Sequence, residues 1–277
     1  MLCVNPRKLP NKAATGLHDA FIQVSCGKCY ACLSNRRRSW LFRLQQEELN
    51  SVGTYFCTFT YDPEYYDGFV HKSDLQKFFK KLRHYEDFTY YAIGEYGTHT
   101  FRGHAHAVIF FKSLPINCTT DDLHELLCSL WSKGFISVSR ATYRRLNYVL
   151  HYHTRPKEPA PGLKTFQMFS KGLGIDFIDD KLIDYLVSTK KTTINDFNGN
   201  TYVIPRYYRK KLLEQGFKVD APQKVFDSDN WKKRISRTFK TDKMFEISEF
   251  RKANYMSEVV QADKKKLKKF NNQDKYI

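Results

Sequence analysis

The chain has 277 residues, with 46 Lys+Arg against 29 Asp+Glu and a formal charge of +17. That excess sets aside an ordinary neutral metabolic enzyme as the default and puts a polyanion first among partners. Hydrophobic residues make up 42%, with 22 Phe and 18 Tyr, so a chain disordered along its whole length is excluded. No apolar run approaches the roughly 18 residues of a membrane span, and Met1 to Lys8 lacks the apolar core of a signal peptide. The expectation is a soluble protein with no membrane partner. Seven cysteines, an odd number without an export signal, argue for thiols or metal ligands over a disulfide framework.

In chain order, an irregular start leads to the turn Ser25-Cys26-Gly27-Lys28-Cys29-Tyr30-Ala31-Cys32. A helix is expected over Leu33 to Leu49, free of Gly and Pro, with Trp40, Phe42 and Leu44 as apolar bulk and Arg36, Arg37, Arg38 and Arg43 on a cationic exposed side. Thr54 to Tyr61 alternates β-branched and aromatic residues and stops at Asp62-Pro63, which predicts a strand. Ser73 is placed to N-cap a helix to about Tyr85. Strands over Phe88 to Glu95 and His104 to Phe111 have a connection short enough for a hairpin. Thr120 would cap a helix to Trp131, Phe135 to Ser139 is a fourth strand, and Thr142 would cap a helix through about His153, ended by Pro156.

The order β-α-β-β-α-β-α predicts an α+β fold of split βαβ topology, a mostly antiparallel sheet with helices on one face. Pro156 to Gly162 reads as a linker, Asp180 to Lys191 and Pro205 to Gly216 as helices, and the chain ends in a polar tail with the Lys264 to Lys269 run. Three regions are expected: a cysteine-rich segment and basic helix over 1–53, a catalytic domain over 54–156, and a basic extension over 157–277.

The most specific motif is His104-Ala105-His106. Residues two apart on a strand point to one face, so the two imidazoles can share a metal ion, and Glu95 ends the neighbouring strand of the same hairpin. Taken alone, a His-x-His pair also recurs as surface or packing residues. Tyr148 and Tyr152, four apart on an expected helix, would stack on one face, an arrangement equally suited to packing. Cys26, Cys29 and Cys32, at two-residue gaps, can face one ion; a closed zinc site needs a fourth ligand. Cys3 is the natural candidate, with Cys57, His18 and His71 as others, and reduced thiols without a metal are the plain alternative.

A His-x-His strand with an upstream Glu and a downstream helix carrying Tyr-x-x-x-Tyr resembles the HUH endonucleases, which nick single-stranded DNA. Further stretches resemble the replication initiation proteins of gokushoviruses, small phages of the Microviridae. These are Cys26 to Cys32 with Asn35-Arg36-Arg37, Thr58-Phe59-Thr60-Tyr61, Gly94-Glu95-Tyr96-Gly97, Ser170-Lys171-Gly172-Leu173-Gly174 and Ile204-Pro205-Arg206-Tyr207-Tyr208, together spanning about residues 3 to 210. The resemblance implies Glu95, His104 and His106 as ligands of Mg²⁺ or Mn²⁺ and Tyr148 and Tyr152 as nucleophiles. Nicking would leave a 3′-OH for a polymerase and a 5′-phosphotyrosine on the protein, in rolling-circle replication.

Where relatives usually have Lys between the tyrosines, this chain has His151, so the phosphate-holding charge would come weakly from His151 or from Arg144, Arg145 or Arg155. Arg36, Arg37, Arg38, Arg144, Arg145 and His151 are the expected DNA contacts. Zn²⁺ at Cys3, Cys26, Cys29 and Cys32 would be structural. Implied partners are a single-stranded phage origin and the host replication helicase and polymerase, in the cytoplasm of a bacterial host. Two other readings compete: a zinc-stabilised nucleic-acid-binding protein without catalysis, and a metal-dependent nuclease that uses water and forms no covalent intermediate.

Overall fold

A computed structural model describes residues 3, 5–11, 20–97, 99–154, 160–195 and 201–219. His18, Arg155 and the Lys264 to Lys269 run lie outside them, as does most of the expected tail. The chain divides into two compact units at Arg36, and each is described by itself.

In the amino-terminal unit, β1 (Arg7–Pro10) pairs antiparallel with β2 (Phe21–Val24), with Arg7 opposite Val24. This hairpin brings the residues just before β1 level with those just after β2. The helix α1 (Tyr30–Leu49) then begins within the cysteine motif and runs on into the second unit.

The second unit is built on a five-stranded antiparallel sheet. Its strands are β3 (Gly53–Tyr61), β4 (Phe88–Tyr96), β5 (Gly103–Phe111), β6 (Gly134–Arg140) and β7 (Phe166–Phe169), in spatial order β6-β3-β5-β4-β7. Between β3 and β4 runs α2 (Lys72–Leu82), and between β5 and β6 runs α3 (Thr120–Leu130). This is the expected split βαβ order of an α+β fold, with β7 added at one edge. Ser73 lies inside α2, whose N-cap is His71 without a side-chain cap bond. Thr119, not Thr120, caps α3, exchanging bonds with Asp122 in a capping box.

Helices cover both faces of the sheet, where the sequence predicted one. Odd positions of β3 (Tyr55, Cys57, Phe59) and their neighbours on β4 and β5 pack on α2 and α3 through Leu75, Phe78, Phe79, Leu123 and Leu127. The opposite face, with Tyr91, Ile93, Val108 and Phe110, packs on Leu41 and Leu44 of α1 and on Leu146, Val149 and Leu150 at α4 (Tyr143–Val149). The physical reason is plain in β5. His106 to Phe111 is buried throughout and does not alternate, as a strand covered on both sides requires.

The helix predicted from Thr142 to His153 changes character midway: α4 ends at Val149, and Leu150–His153 is a 3₁₀ turn. Downstream, α5 (Asp180–Thr189), β8 (Thr193–Asn195), β9 (Thr201–Val203) and α6 (Arg206–Glu214) form a third cluster around Phe42, Leu186, Ile204 and Tyr208. No helix among the described residues is long and apolar enough to cross a membrane.

Candidate metal centres and their surroundings

Strand register assembles the first cluster. Glu95 on β4 sits directly opposite His104 on β5, and His106 follows two positions along the same face. Glu95 Oε1 lies 3.6 Å from His104 Nε2 and 3.4 Å from His106 Nε2, and one donor atom from each of the three residues falls within 4.8 Å of the others. Glu95 and His106 are buried, while His104 keeps an edge toward solvent.

The outward nitrogens define what these rings can do. His104 Nδ1 is 3.1 Å from the Arg102 carbonyl oxygen, which can only accept, so Nδ1 carries the proton and Nε2 presents a lone pair. His106 Nδ1 is 3.0 Å from Thr58 Oγ1, and its ring stacks on Phe56 at 5.3 Å. Thr58 and Phe56 come from β3, which pairs with β5 on the side away from Glu95. Two imidazole nitrogens and a carboxylate converging under a half-open rim suit a divalent cation, Mn²⁺ or Mg²⁺.

Tyr148 joins this cluster. Its hydroxyl donates to Glu95 Oε1 at 2.6 Å, and its ring meets His106 edge-on at 5.0 Å. Tyr152 sits beyond the change of helix type, against His153 and within the same apolar cluster as Tyr91. Burial raises its pKa, with a Thr165 hydroxyl contact working the other way.

His151, expected as a DNA contact, is 2% exposed. Its Nε2 is bonded to the Arg37 guanidinium, whose Nε also donates to Asn147 Oδ1 at 3.0 Å. The physical reason for this departure is the 3₁₀ turn, which carries His151 inward toward α1. Arg36, Arg38 and Arg144 are exposed and Arg37 and Arg145 half-buried; Arg145 donates to the Arg140 carbonyl. Arg43, expected on the exposed side of α1, is buried, bonded to the Leu173 carbonyl and stacked on Trp40 and Tyr207.

The second cluster gathers Cys3, Cys26, Cys29 and Cys32, all free thiols with mutual Sγ separations within 4.8 Å. The β1-β2 hairpin brings Cys3 beside Cys26, whose N–H donates to Cys3 Sγ at 3.3 Å. Gly27 takes the left-handed φ of 75° that lets the chain fold back. The N–H groups of Lys28 and Cys29 then point at Cys26 Sγ and lower its pKa to about 6. Of the other possible fourth ligands, Cys57 is buried in the sheet core and His71 is paired with Asp67.

Sequence reasoning missed Thr58, Phe56 and the Arg37–Asn147–His151 linkage. Each depends on which strand or helix lies alongside, and no local pattern marks that.

Comparison with curated proteins and with solved structures returns no match. Residues 54–157, from β3 past α4, match the family model of replication-associated proteins of the ORF2 and gene-two-protein type, so this part of the chain is similar to initiators of rolling-circle replication.

Proposed function

We propose that the protein nicks and rejoins single-stranded DNA as an HUH-type initiator of phage rolling-circle replication. The observation that supports it best is the hydrogen bond from Tyr148 to Glu95, which puts a phenol at the edge of a two-imidazole, one-carboxylate donor set. Glu95, His104 and His106 would hold a divalent cation that supplies Lewis acidity at the scissile phosphate. Tyr148 Oη forms the new P–O bond, its proton leaving toward Glu95 Oε1. The P–O3′ bond breaks, its electron pair staying on the 3′ oxygen, which is protonated and released as 3′-OH. The 5′-phosphotyrosine conserves the phosphodiester for rejoining, in which a 3′-OH attacks phosphorus and the phenol is regenerated. Tyr152 would serve the second cleavage.

The test is to incubate the protein with Mn²⁺ and a labelled pool of randomised single-stranded oligonucleotides, then separate products under denaturing conditions. A slow-migrating covalent band is expected, absent from the Tyr148→Phe/Tyr152→Phe double variant. Cleavage without a band would mean hydrolysis by water, and retention without cleavage a binding module. His104→Ala/His106→Ala should lose the band while keeping its fold and its hold on DNA.

The cysteine cluster fits structural Zn²⁺. With Zn–S bonds near 2.3 Å, a tetrahedron has S···S edges of about 3.8 Å. The Cys29–Cys3 and Cys26–Cys32 pairs already stand at 3.8 and 3.9 Å. Metal analysis of the purified protein should return one zinc per chain, lost in Cys3→Ser and kept in Cys118→Ser. A zinc-free wild type that is folded and reduced would refute the assignment.

A further inference from the structure

We propose that Arg37 is the cation that positions the scissile phosphate against Tyr148 and favours its phenolate, with His151 acting as a neutral clamp for the guanidinium. The inference deepens the nicking reading and rests on it.

Arg37 is carried by α1, yet it is tied to the segment that bears the nucleophile. Its Nε donates to Asn147 Oδ1 at 3.0 Å and its Nη2 bonds His151 Nε2. Asn147 and His151 lie on either side of Tyr148 in the chain, and the Tyr148 and His151 rings are 6.0 Å apart. A guanidinium has only donors, so His151 Nε2 accepts and the imidazole is neutral. At 2% exposure His151 is enclosed, whereas Arg37 is half-exposed. The fixed charge available to an incoming strand at this turn is therefore the arginine's.

The chemistry calls for such a charge. A phenol must shed its proton as its oxygen approaches phosphorus, and negative charge builds on the phosphate oxygens as P–O3′ breaks. A planar guanidinium can pair with two of those oxygens, and its orientation is set in advance by Asn147 and His151. Both holding groups are uncharged, so they orient the guanidinium without neutralising it. The other arginines of this surface are held differently. Arg43 is spent on Leu173 and two aromatic rings, and Arg145 is turned to the Arg140 carbonyl.

The experiment measures adduct formation against pH with Mn²⁺ and the randomised single-stranded pool, for the wild type, Arg37→Met, Arg37→Lys and Lys181→Met. Lys181 is an exposed residue of α5 and controls for loss of one positive charge. Arg37→Met should form adduct about a hundredfold more slowly at saturating DNA, the scale of one lost charge-stabilising donor. Its pH–rate curve should move to higher pH, because the phenolate loses its cation. Arg37→Lys should recover part of the rate, Lys181→Met should match the wild type, and Mn²⁺ binding followed by electron paramagnetic resonance should be the same in all four.

A wild-type rate and an unshifted curve in Arg37→Met would overturn the inference while leaving nicking intact. So would a slow Arg37→Met whose Mn²⁺ binding is also lost and whose rate Lys does not restore, since Arg37 would then be a strut between α1 and α4. A wild type that forms no adduct would end the nicking reading itself, and this inference with it.

Discussion

Tyr148 and Tyr152 stand four positions apart, yet their surroundings differ because the helix changes type between them. Four residues of α-helix turn the chain by a little over one revolution and leave two side chains within about 40° of each other. Passing into 3₁₀ geometry adds about 20° per residue, so the pair splays toward about 100°. Tyr148 consequently reaches Glu95, while Tyr152 settles near Tyr91 and Thr165 with its pKa raised by burial. Single substitutions should then be unequal: Tyr148→Phe should abolish the first adduct, and Tyr152→Phe should leave it and impair only rejoining, read as adduct that persists. Equal loss in both would show interchangeable nucleophiles. A second prediction at this scale concerns Thr58, whose hydroxyl fixes the His106 ring. Thr58→Val removes that bond at nearly constant volume and should weaken Mn²⁺ affinity about tenfold, measured by calorimetric titration.

At the scale of elements, two places keep the site in register. Gly94 precedes Glu95 on β4, and a Cβ there would stand 2.3 Å from the Phe166 ring of β7. Gly94→Ala must displace that ring or its strand. It should cost about 1–3 kcal/mol of stability and lower Mn²⁺ affinity, seen as a reduced Tm and a weaker titration.

The other place is Glu47, near the end of α1 and buried against β4 and β5. It accepts from Thr89 Oγ1 at 2.7 Å and from the Gly174 N–H, and pairs with Lys112 Nζ at 2.6 Å. Burial opposes its ionisation, but these bonds outweigh burial and hold its carboxyl below the usual range. A depressed carboxyl pKa stabilises the fold above the unfolded-state value near 4.3 and loses that stabilisation as pH falls through the folded value. Wild-type Tm should therefore fall on acidification below about pH 4, and part of that slope should vanish in Glu47→Gln. Glu47→Ala, which also strands Lys112, should cost about 3 kcal/mol at neutral pH by chemical denaturation.

For the molecule as a whole, the charge of +17 predicts an affinity for DNA set largely by counterion release. If about five phosphates are neutralised, log K should fall against log salt with a slope near −3.5, roughly a hundredfold loss between 50 and 200 mM. Chelating the catalytic metal should leave this retention unchanged while removing the covalent band, because charge holds the strand and the Glu95–His104–His106 cluster acts on it. Filter binding and denaturing gels separate the two.

Much of this was legible in the amino-acid sequence because it is local. Alternation marked β3, turn residues bounded the β4-β5 hairpin, and the two-residue period put His104 and His106 on one face whatever the rest of the chain did. Spacing alone likewise singled out Cys26, Cys29 and Cys32. Contacts between distant segments were decided only in three dimensions. Antiparallel register set Glu95 opposite His104 and Thr58 opposite His106, the β1-β2 hairpin carried Cys3 to the other cysteines, and α1 covered the second sheet face and delivered Arg37 to His151. The reason is physical: backbone periodicity is written in neighbouring residues, whereas the partner a side chain meets depends on which surfaces bury together, and that is a property of the folded chain.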